Sequence, residues 1–494
     1  PGLTVGYLPQ EPNLNLENTL WAEVTSAHSE LARVETELAQ IEARLADPEV
    51  YGDEKRLARA LDRQAHLLEE FTALGGPGFD GQVRALLLQL GFTETEFSLT
   101  IEVLSGGQKK LAGLAKLLIT QPKLLLLDEP DNHLDLAGKD FLANFIRNYP
   151  GAVVIVSHDR YLLDLIADEI VDLDGGRLEV YPGNYSEYAF EKQTRLLRQQ
   201  QMFQVQQKEV TRLEQSAKRL LMWGRTYDNV KFIRRGQNIL KRIERMEKID
   251  RPVLERKRMG LELSGWRGSN KVLEIAGLEK MFPLTPGPSP LGRGELNKNI
   301  IFTGAEGIIW HGWRVGLVGP NGSGKSLLFR MILGQAEPTG GEITLGPSVK
   351  VGYYAQEHQT LDYDQSLIET VRYATPVSES KAVAFLGKFL FSYEQARGPV
   401  GNLSGGERSR LQMALLMLSG ANFLMLDEPT NNLDIPSAEV LEEALADFEG
   451  TVLVISHDRY FLDRVADHIW AVEDWALSEY EGNYSDYQEK TRKP

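Results

Sequence analysis

The feature that most constrains this chain is that it repeats itself. Leu104-Ser105-Gly106-Gly107-Gln108 recurs as Leu403-Ser404-Gly405-Gly406-Glu407, and Leu127-Asp128-Glu129-Pro130 as Leu426-Asp427-Glu428-Pro429. Ser157-His158-Asp159-Arg160-Tyr161 recurs as Ser456-His457-Asp458-Arg459-Tyr460, and Gly183-Asn184-Tyr185-Ser186 as Gly482-Asn483-Tyr484-Ser485. All four pairs are 299 residues apart. Chance does not hold one offset across four motifs, so the chain contains a duplicated domain. A fifth pair, Val5–Gln10 and Val351–Gln356, is 346 apart, so the first copy carries 47 extra residues between that Gln and its LSGG. The insertion is expected within residues 18–76. Leu31, Val34, Leu38, Ile41 and Leu45 recur there at helical spacing. Leu57, Leu61, Gln64, Leu68 and Phe71 resume the rhythm after a break at Asp47-Pro48 and Tyr51-Gly52. This pattern predicts two amphipathic helices folded back on each other.

The 494 residues leave room for about three domains. Cys is absent, which excludes disulfides and thiolate metal sites and fits a reducing, cytoplasmic setting. No run of about 18 apolar residues exists to span a membrane. The opening Pro1-Gly2-Leu3-Thr4-Val5 is no signal peptide, and it enters mid-motif without an initiator Met, as a fragment would. The net charge of −16 is uneven: between Glu191 and Arg258, 19 Lys/Arg stand against 8 Asp/Glu, a local +11 in a background of −27. A basic segment inside an acidic protein is the footprint of a nucleic-acid contact, and it is also what a solvated charged helix looks like. Phe203, Val210, Leu213, Ala217 and Leu220 predict a long helix. A break follows over Trp223–Asn229, and Ile239, Ile243, Met246 and Ile249 predict a second helix that stops at Arg251-Pro252. The Pro/Gly-rich stretch from Pro283 to Gly294 has no period and predicts a disordered loop.

The strongest chemical signal is Gly319-Pro320-Asn321-Gly322-Ser323-Gly324-Lys325-Ser326, between the strand candidate Val315–Val318 and the helical run Leu327-Leu328-Phe329. That context is the one a P-loop needs. Its glycines let successive backbone N–H groups curl round phosphate oxygens at a helix N-terminus. Lys325 would then neutralise β/γ-phosphate charge and Ser326 would ligate Mg2+, which makes ATP and Mg2+ the expected ligands. Two apolar strand candidates end in twin acids, Asp427-Glu428 and Asp128-Glu129, at the end of a parallel strand where open α/β sheets bind ligands. The first acid would hold the metal through water and the second would act as general base. Helix N-capping explains one acid of such a pair and leaves the other unexplained.

Together with the LSGG and histidine motifs, these residues resemble the ATP-binding-cassette family over nearly the whole chain. The resemblance implies that LSGG sits at a helix N-terminus and caps ATP held by the opposite cassette. It further implies that Gln356 senses Mg2+ and the attacking water, that His457 contacts the γ-phosphate, and that Phe282 stacks on adenine. The fused cassettes, the insertion in the first copy alone and the basic hairpin between copies are similar to the ABC-F class. So are Asp128–Asp135 and Asp427–Asp434, which follow that class's DEPTNHLD pattern with Asp131 for Thr and Asn432 for His. The class implies ribosome binding, with the linker reaching tRNA and ribosomal RNA. Arg225, Lys231, Arg234, Arg235, Lys241, Arg242 and Arg245 are the local candidates for phosphate contacts, while Trp223, Tyr227 and Phe232 either stack on bases or pack the hairpin tip.

The expected fold is therefore α/β: two P-loop NTPase cassettes, the first incomplete, with a helical-hairpin arm insertion and a helical-hairpin linker. The expected boundaries are 1–190 with the arm at about 18–76, 191–258 for the linker, and 259–494. Lys325 precedes Gln356 by 31 residues, so its counterpart before Gln10 falls off the start of the chain. One composite site is expected to join Lys325, Ser326, Gln356, Asp427, Glu428 and His457 to Ser105, Gly106 and Gly107. The other keeps Gln10, Asp128, Glu129 and His158, facing Ser404 and Gly405, without a phosphate-binding loop. The expected function is a ribosome-acting ATPase. The alternatives are the ATPase subunit of a membrane transporter and a DNA-acting ABC-F relative.

Overall fold

The computed structural model describes residues 3–46, 54–132, 134–246, 259–263, 266–282, 299–355, 361–431 and 433–491. The breaks expected at Asp47-Pro48 and Tyr51-Gly52, the helix stop at Arg251-Pro252, the Pro283–Gly294 loop, Asn432 and Gln356 lie outside the described residues. The chain forms two compact units, Pro1–Leu162 together with Gly260–Pro494, and Leu163–Met259.

In chain order the first copy begins with β1 (Val5–Leu8), α1 (Leu20–Thr25), α2 (Ser29–Leu45), α3 (Glu54–Ala73), α4 (Gly76–Gln89) and α5 (Gly106–Leu118). It continues with β2 (Leu124–Asp128), α6 (Leu136–Arg147), β3 (Ala152–Val156) and α7 (Arg160–Ile166). Strands β1, β2 and β3 pair in parallel in that order. Helices α2 and α3 close on a small core of Val34, Leu38, Ile41, Ala60 and Leu67, with Leu45, Phe71 and Leu74 beside it. Arg33–Glu70 at 2.7 Å and Arg63–Glu37 at 2.5 Å bridge the two helices. The second helix does not bury the expected stripe: Leu61 and Leu68 face outward, and Ala60 and Leu67 take the inner positions. Leucines one residue apart satisfy three-and-four spacing equally well, so periodicity left the helix free to rotate by one position.

The second unit holds β4 (Glu169–Asp174) and β5 (Arg177–Pro182), an antiparallel pair, then α8 (Tyr185–Thr226) and α9 (Val230–Arg245). Asn184 caps α8 with Glu187 in a reciprocal box. The break expected from Trp223 narrows to Tyr227–Asn229, and α9 begins earlier than the Ile239 pattern indicated. The reason is close packing. Gly224 lets Ile233 approach, since a Cβ there would lie 2.6 Å from its Cγ1. A Cβ at Gly236 would likewise lie 2.8 Å from Leu221 Cγ, so the helices meet across glycines and run to the turn.

The second copy comprises β6 (Lys271–Phe282), β7 (Asn299–Trp310), β8 (Arg314–Val318), α10 (Lys325–Ile332), β9 (Gly340–Leu345) and β10 (Val351–Tyr354). Then come α11 (Leu367–Ala374), α12 (Glu379–Lys388), α13 (Tyr393–Arg397), α14 (Gly405–Ser419), β11 (Phe423–Asp427) and α15 (Ile435–Ala446). It ends with β12 (Thr451–Ile455), α16 (Arg459–Val465), β13 (His468–Glu473), β14 (Ala476–Glu481) and α17 (Tyr484–Thr491). One six-stranded sheet has the order β10-β11-β12-β8-β13-β14, parallel except for its last pair. A second, antiparallel sheet has the order β7-β6-β9. Leu317, Phe329, Met425, Leu453 and Trp470 are among the side chains that fill the core between them.

The copies meet directly. Tyr161 and Tyr460, counterparts in the repeat, lie edge to face with centroids 6.5 Å apart. The guanidinium of Arg459 covers Tyr161 at 4.4 Å and that of Arg160 covers Tyr460 at 5.4 Å. Arg459 pairs with Asp140 at 2.6 Å, and Arg160 with the buried Glu442.

Candidate nucleotide site

Strand β8 is central in its sheet, flanked by β12 and β13, and its carboxyl end delivers the chain to Gly319. A Cβ at Gly319 would lie 2.6 Å from Val472 O, and its φ of 154° suits only glycine comfortably, so this residue lets the loop pass beside β13. The loop ends in α10, whose first residue is Lys325. The Lys325 ammonium donates to Gly319 O at 2.7 Å and Pro320 O at 2.8 Å, lying across its own loop. Burial lowers its pKa, opposed by the fields of Glu428, Asp135 and Asp427. Ser326 Oγ lies 3.5 Å from Asp427 Oδ1, which brings the two expected metal-side groups together.

Strand β11 is buried along its whole length and ends at Asp427. Glu428 follows with φ 49°, and its counterpart Glu129 has φ 45°. A non-glycine residue in this region is strained, and such strain is stored preferentially where a side chain must be aimed. Glu428 N–H donates to Ile455 O at 2.9 Å, tying the bend to β12. Burial first, and then the adjacent Asp427, push the Glu428 carboxyl up to about 8. His457 N–H donates to Glu428 Oε2 at 3.3 Å. Burial, with the positive fields of Lys325 and Lys139, pushes the His457 imidazole down to about 3, so it is neutral at ordinary pH.

The LSGG serines both act as helix caps. Ser105 caps α5 in a box with Gln108, and Ser404 caps α14 in a box with Glu407. The N-terminus of α5 therefore aims backbone N–H groups outward from the first copy. Ser105, Gly106 and Gly107 line a single cleft of 750 Å³ together with Asn321, Lys325, Ser326, Asp427, Glu428 and His457. The size is that of a nucleotide pocket. Asp131, Asn132, Leu134 and Lys139 of the first copy line it too, as do Gly405 and Arg408 of the second. Asp135, whose Oδ1 caps α6, accepts from Asn321 N–H through Oδ2 at 3.1 Å. Ser323 Oγ, Glu428 Oε1 and His457 Nδ1 are buried without a hydrogen-bond partner. Orphaned polar atoms beside a glycine-rich loop, a lysine and a helix N-terminus fit a polyanionic ligand with its metal. Among the described residues no three Asp, Glu or His side chains converge as a metal cage.

The twin-acid group of the first copy is arranged differently. Glu129 accepts from Gln10 Nε2 at 2.6 Å and Asn132 Nδ2 at 2.5 Å, and faces His158 Nε2 at 3.4 Å. The His158 hydrogen bond, with the fields of His158 and Lys110, holds the Glu129 carboxyl below its usual range against burial. The same contact holds His158 above its own. Tyr7 OH donates to Asp128 at 3.4 Å.

Phe282 ends β6 half exposed, with the Lys280 ammonium 5.0 Å above its ring. A second cleft of 520 Å³ beside the loop is lined by Pro320–Ser323 and by Trp475, which stands at φ 64° where the repeat has Gly176. Neither Trp475 nor Lys139 was singled out from sequence. The signal was available in the repeat, where a tryptophan replaces a turn glycine and a lysine stands opposite Ala438. Arg225, Lys231, Arg234, Arg235, Lys241, Arg242 and Arg245 are all exposed along the end of α8 and on α9, with Arg242 reaching Glu209 at 3.9 Å. Trp223 and Tyr227 are exposed beside them, and Phe232 is half-buried.

The ABC transporter family model matches the chain twice, over residues 2–132 and 302–431, and an extension model of the same description matches 171–262. The ATP-binding protein YdiF of Bacillus subtilis is 37% identical over 492 residues, covering 99% of this chain and 73% of its own length. The energy-dependent translational throttle protein EttA of Escherichia coli K12 is 36% identical over 498 residues, covering 99% of this chain and 84% of its own. The chain belongs to the ATP-binding-cassette family, in its ABC-F class. It is accordingly a nucleotide-binding ATPase. Two solved structures share the fold at 21% identity, each covering 83% of this chain and 70% of its own. They are the archaeal ribosome recycling factor aABCE1 in complex with stalk protein aP1, with a TM-score of 0.53, and the RNase-L Inhibitor, with 0.52. Among the described residues no helix is long and apolar enough to cross a membrane.

Proposed function

We propose that this ABC-F ATPase acts on the ribosome in translation, turning over ATP with Mg2+ in the Lys325 cleft. The observation that carries the nucleotide reading is the joining of two elements in one cleft, the phosphate loop and twin acids of one copy and the LSGG helix N-terminus of the other. Backbone N–H groups of Gly322, Ser323 and Gly324 and the Lys325 ammonium would hold the β- and γ-phosphates. Ser326 and Asp427, with Gln356, would hold Mg2+, which would supply neutralisation of charge on the phosphate oxygens. Glu428 takes a proton from the attacking water, and its raised proton affinity makes the ionised carboxylate a stronger base than an exposed one. Oxygen of that water bonds to the γ-phosphorus as the bridge to the β-phosphate breaks, giving ADP and phosphate. Neutral His457 presents a ring N–H to the γ-phosphate. Ser105, Gly106 and Gly107 close over the nucleotide from the opposite copy, with Phe282 as the base-side aromatic. Gln10, Asp128, Glu129 and His158, with Ser404 and Gly405, belong to the second composite site.

The ribosomal reading is supported by the names of relatives that match 99% of this chain, one of them a translational throttle protein. The exposed cations of α8 and α9 supply phosphate contacts to tRNA or ribosomal RNA. The transporter-subunit and DNA-acting alternatives have no comparable support from those names. Cosedimentation with 70S ribosomes tests the reading. ATP in the presence of the Glu428→Gln variant is expected to drive the chain into the ribosomal pellet, and ADP to leave it in the supernatant. Changing Arg234, Arg235, Lys241 and Arg242 together to Ala is expected to weaken the association and flatten its salt dependence, with basal ATP turnover and melting temperature retained. No pelleting in any nucleotide state would overturn the ribosomal reading.

A further inference from the structure

The repeat is broken at two neighbouring places on the first copy's side of the Lys325 cleft. Asp131 stands where the second copy has Thr430, and Lys139 where it has Ala438. The two departures are one electrostatic unit. Asp131 and Asp159 are buried, at 4% and 6% exposure. The Lys139 ammonium donates to Asp159 Oδ2 at 2.6 Å. Burial alone would lower the Lys139 pKa, but Asp159, Asp131 and Asp458 more than offset it and push it up to about 12. Two buried carboxylates flank the half-buried Lys139: its ammonium bonds Asp159, while Asp131 Oδ1 beside it has no hydrogen-bond partner. Thr and Ala in the second copy form no such cluster.

The ammonium also crosses to the other copy, donating to the main-chain oxygen of His457 at 2.9 Å. That residue lies in the short connection between β12 and α16, where main-chain position sets where the imidazole points. One turn earlier on the same helix, Asp135 accepts from Asn321 N–H of the phosphate loop. The first turn of α6 thus holds the second copy at two points, the phosphate loop and the histidine connection. In the quasi-equivalent arrangement Ala438 has no side chain that could reach the His158 carbonyl.

We propose that Lys139 is a positioning residue of the Lys325 nucleotide site, acting across the boundary between copies by holding the His457 main chain, with Asp159 as the carboxylate it pairs with and Asp131 buried beside them. This rests on reading His457 as the γ-phosphate contact. The lysine need not touch the nucleotide. It fixes the angle of the neutral imidazole and links engagement of the first copy to completion of the γ-phosphate end. A simple ion pair between copies would contribute to holding them together and leave the chemical step alone. A positioning residue would affect the chemical step and leave nucleotide affinity largely unchanged.

The test uses the full chain and Mg-ATP, with single-turnover hydrolysis, affinity for a fluorescent ATP analogue, and melting temperature measured on each preparation. Lys139→Ala alone strands two buried carboxylates, so loss of stability is expected there. Asp131→Thr with Lys139→Ala recreates the second copy's Thr and Ala and removes part of that burden. The double variant is expected to melt near the parent and bind the analogue within about twofold of it, while single-turnover hydrolysis falls by about tenfold. Lys139→Arg is expected to recover part of the lost rate. In a His457→Ala background the double change is expected to cost little more, because the group it positions is gone. A double variant that hydrolyses within twofold of the parent, while His457→Ala is slow, would overturn the positioning role and leave the site reading intact. If His457→Ala itself turns over like the parent, the γ-phosphate reading fails and this proposal fails with it.

Discussion

The two copies carry the same motifs and the same backbone bend after the twin acids, yet they hold those acids in opposite electrostatic states. Glu129 at φ 45° and Glu428 at φ 49° follow identical Leu-Asp pairs and share one backbone bend. Glu129 is hydrogen-bonded by Gln10, Asn132 and His158, and its carboxyl is held below its usual range. Glu428 is enclosed by β11, β12 and the loop before α10, and burial pushes its carboxyl up to about 8. The sheets differ in parallel. Strand β12 sits between β11 and β8 and is buried at every residue, whereas β3 pairs with β2 alone among the described strands and alternates between exposed and half-buried. Motif residues set where the chain bends; the strands packed around them set what the side chains do there.

The largest effect expected from this contrast is on hydrolysis. Glu428→Gln should keep nucleotide binding and slow single-turnover hydrolysis by about 10²-fold or more, as loss of a general base does. Glu129→Gln should change it by less than about threefold on the same scale. Equal losses from the two changes would erase the functional distinction between the copies.

A second pair of substitutions compares the sheets. Leu453 on β12 is 0% exposed, and its counterpart in the repeat, Val154 on β3, is 56% exposed. Leu453→Ala should destabilise the unit by about 2–5 kcal/mol, from lost burial and the cavity left behind. Val154→Ala should stay within about 0.5 kcal/mol. Denaturant midpoints at constant slope measure both. A large loss at Val154 would mean that β3 is covered in solution.

These contrasts mark what the amino-acid sequence could convey. The phosphate loop, the twin acids and the LSGG caps were legible because each chemistry demands fixed residue types at fixed local spacing, and the constant offset of 299 tied them into two copies. Long-range pairings were not legible in this way. Nothing local to Lys139 announces that its ammonium meets a carbonyl 318 residues away. The outward turn of Leu61 and Leu68 was hidden because apolar residues occupy both candidate stripes of α3. The protonation states of Glu129 and Glu428 were hidden because identical tetrapeptides are surrounded by different neighbours. Gln356 was expected beside the metal from the family pattern and lies outside the described residues.

The finest test of the comparison is the pair of histidines. His158 is held above its ordinary pKa, first by its hydrogen bond to Glu129, then by the fields of Glu129, Asp434 and Asp131 against the opposing effect of burial. His457 is pushed down to about 3 by burial and by Lys325 and Lys139. The linkage signs are opposite. For His158 the folded protein binds the proton more tightly than the unfolded chain. Its stabilising contribution is complete below the unfolded value of about 6.5 and is lost as pH rises through the folded pKa. For His457 the folded protein disfavours the proton, so its contribution is complete above about 6.5 and is lost as pH falls toward the folded value. Proton NMR of the imidazole Cε1–H signals from pH 5 to 8.5 should show His158 titrating above the ordinary value of about 6.5 and His457 not titrating at all. Glu129→Gln should move the His158 midpoint down and leave His457 silent. A His457 signal that titrates near 6.5 would mean that the connection after β12 opens to water in solution, and the neutral imidazole assigned to the γ-phosphate would lose its basis.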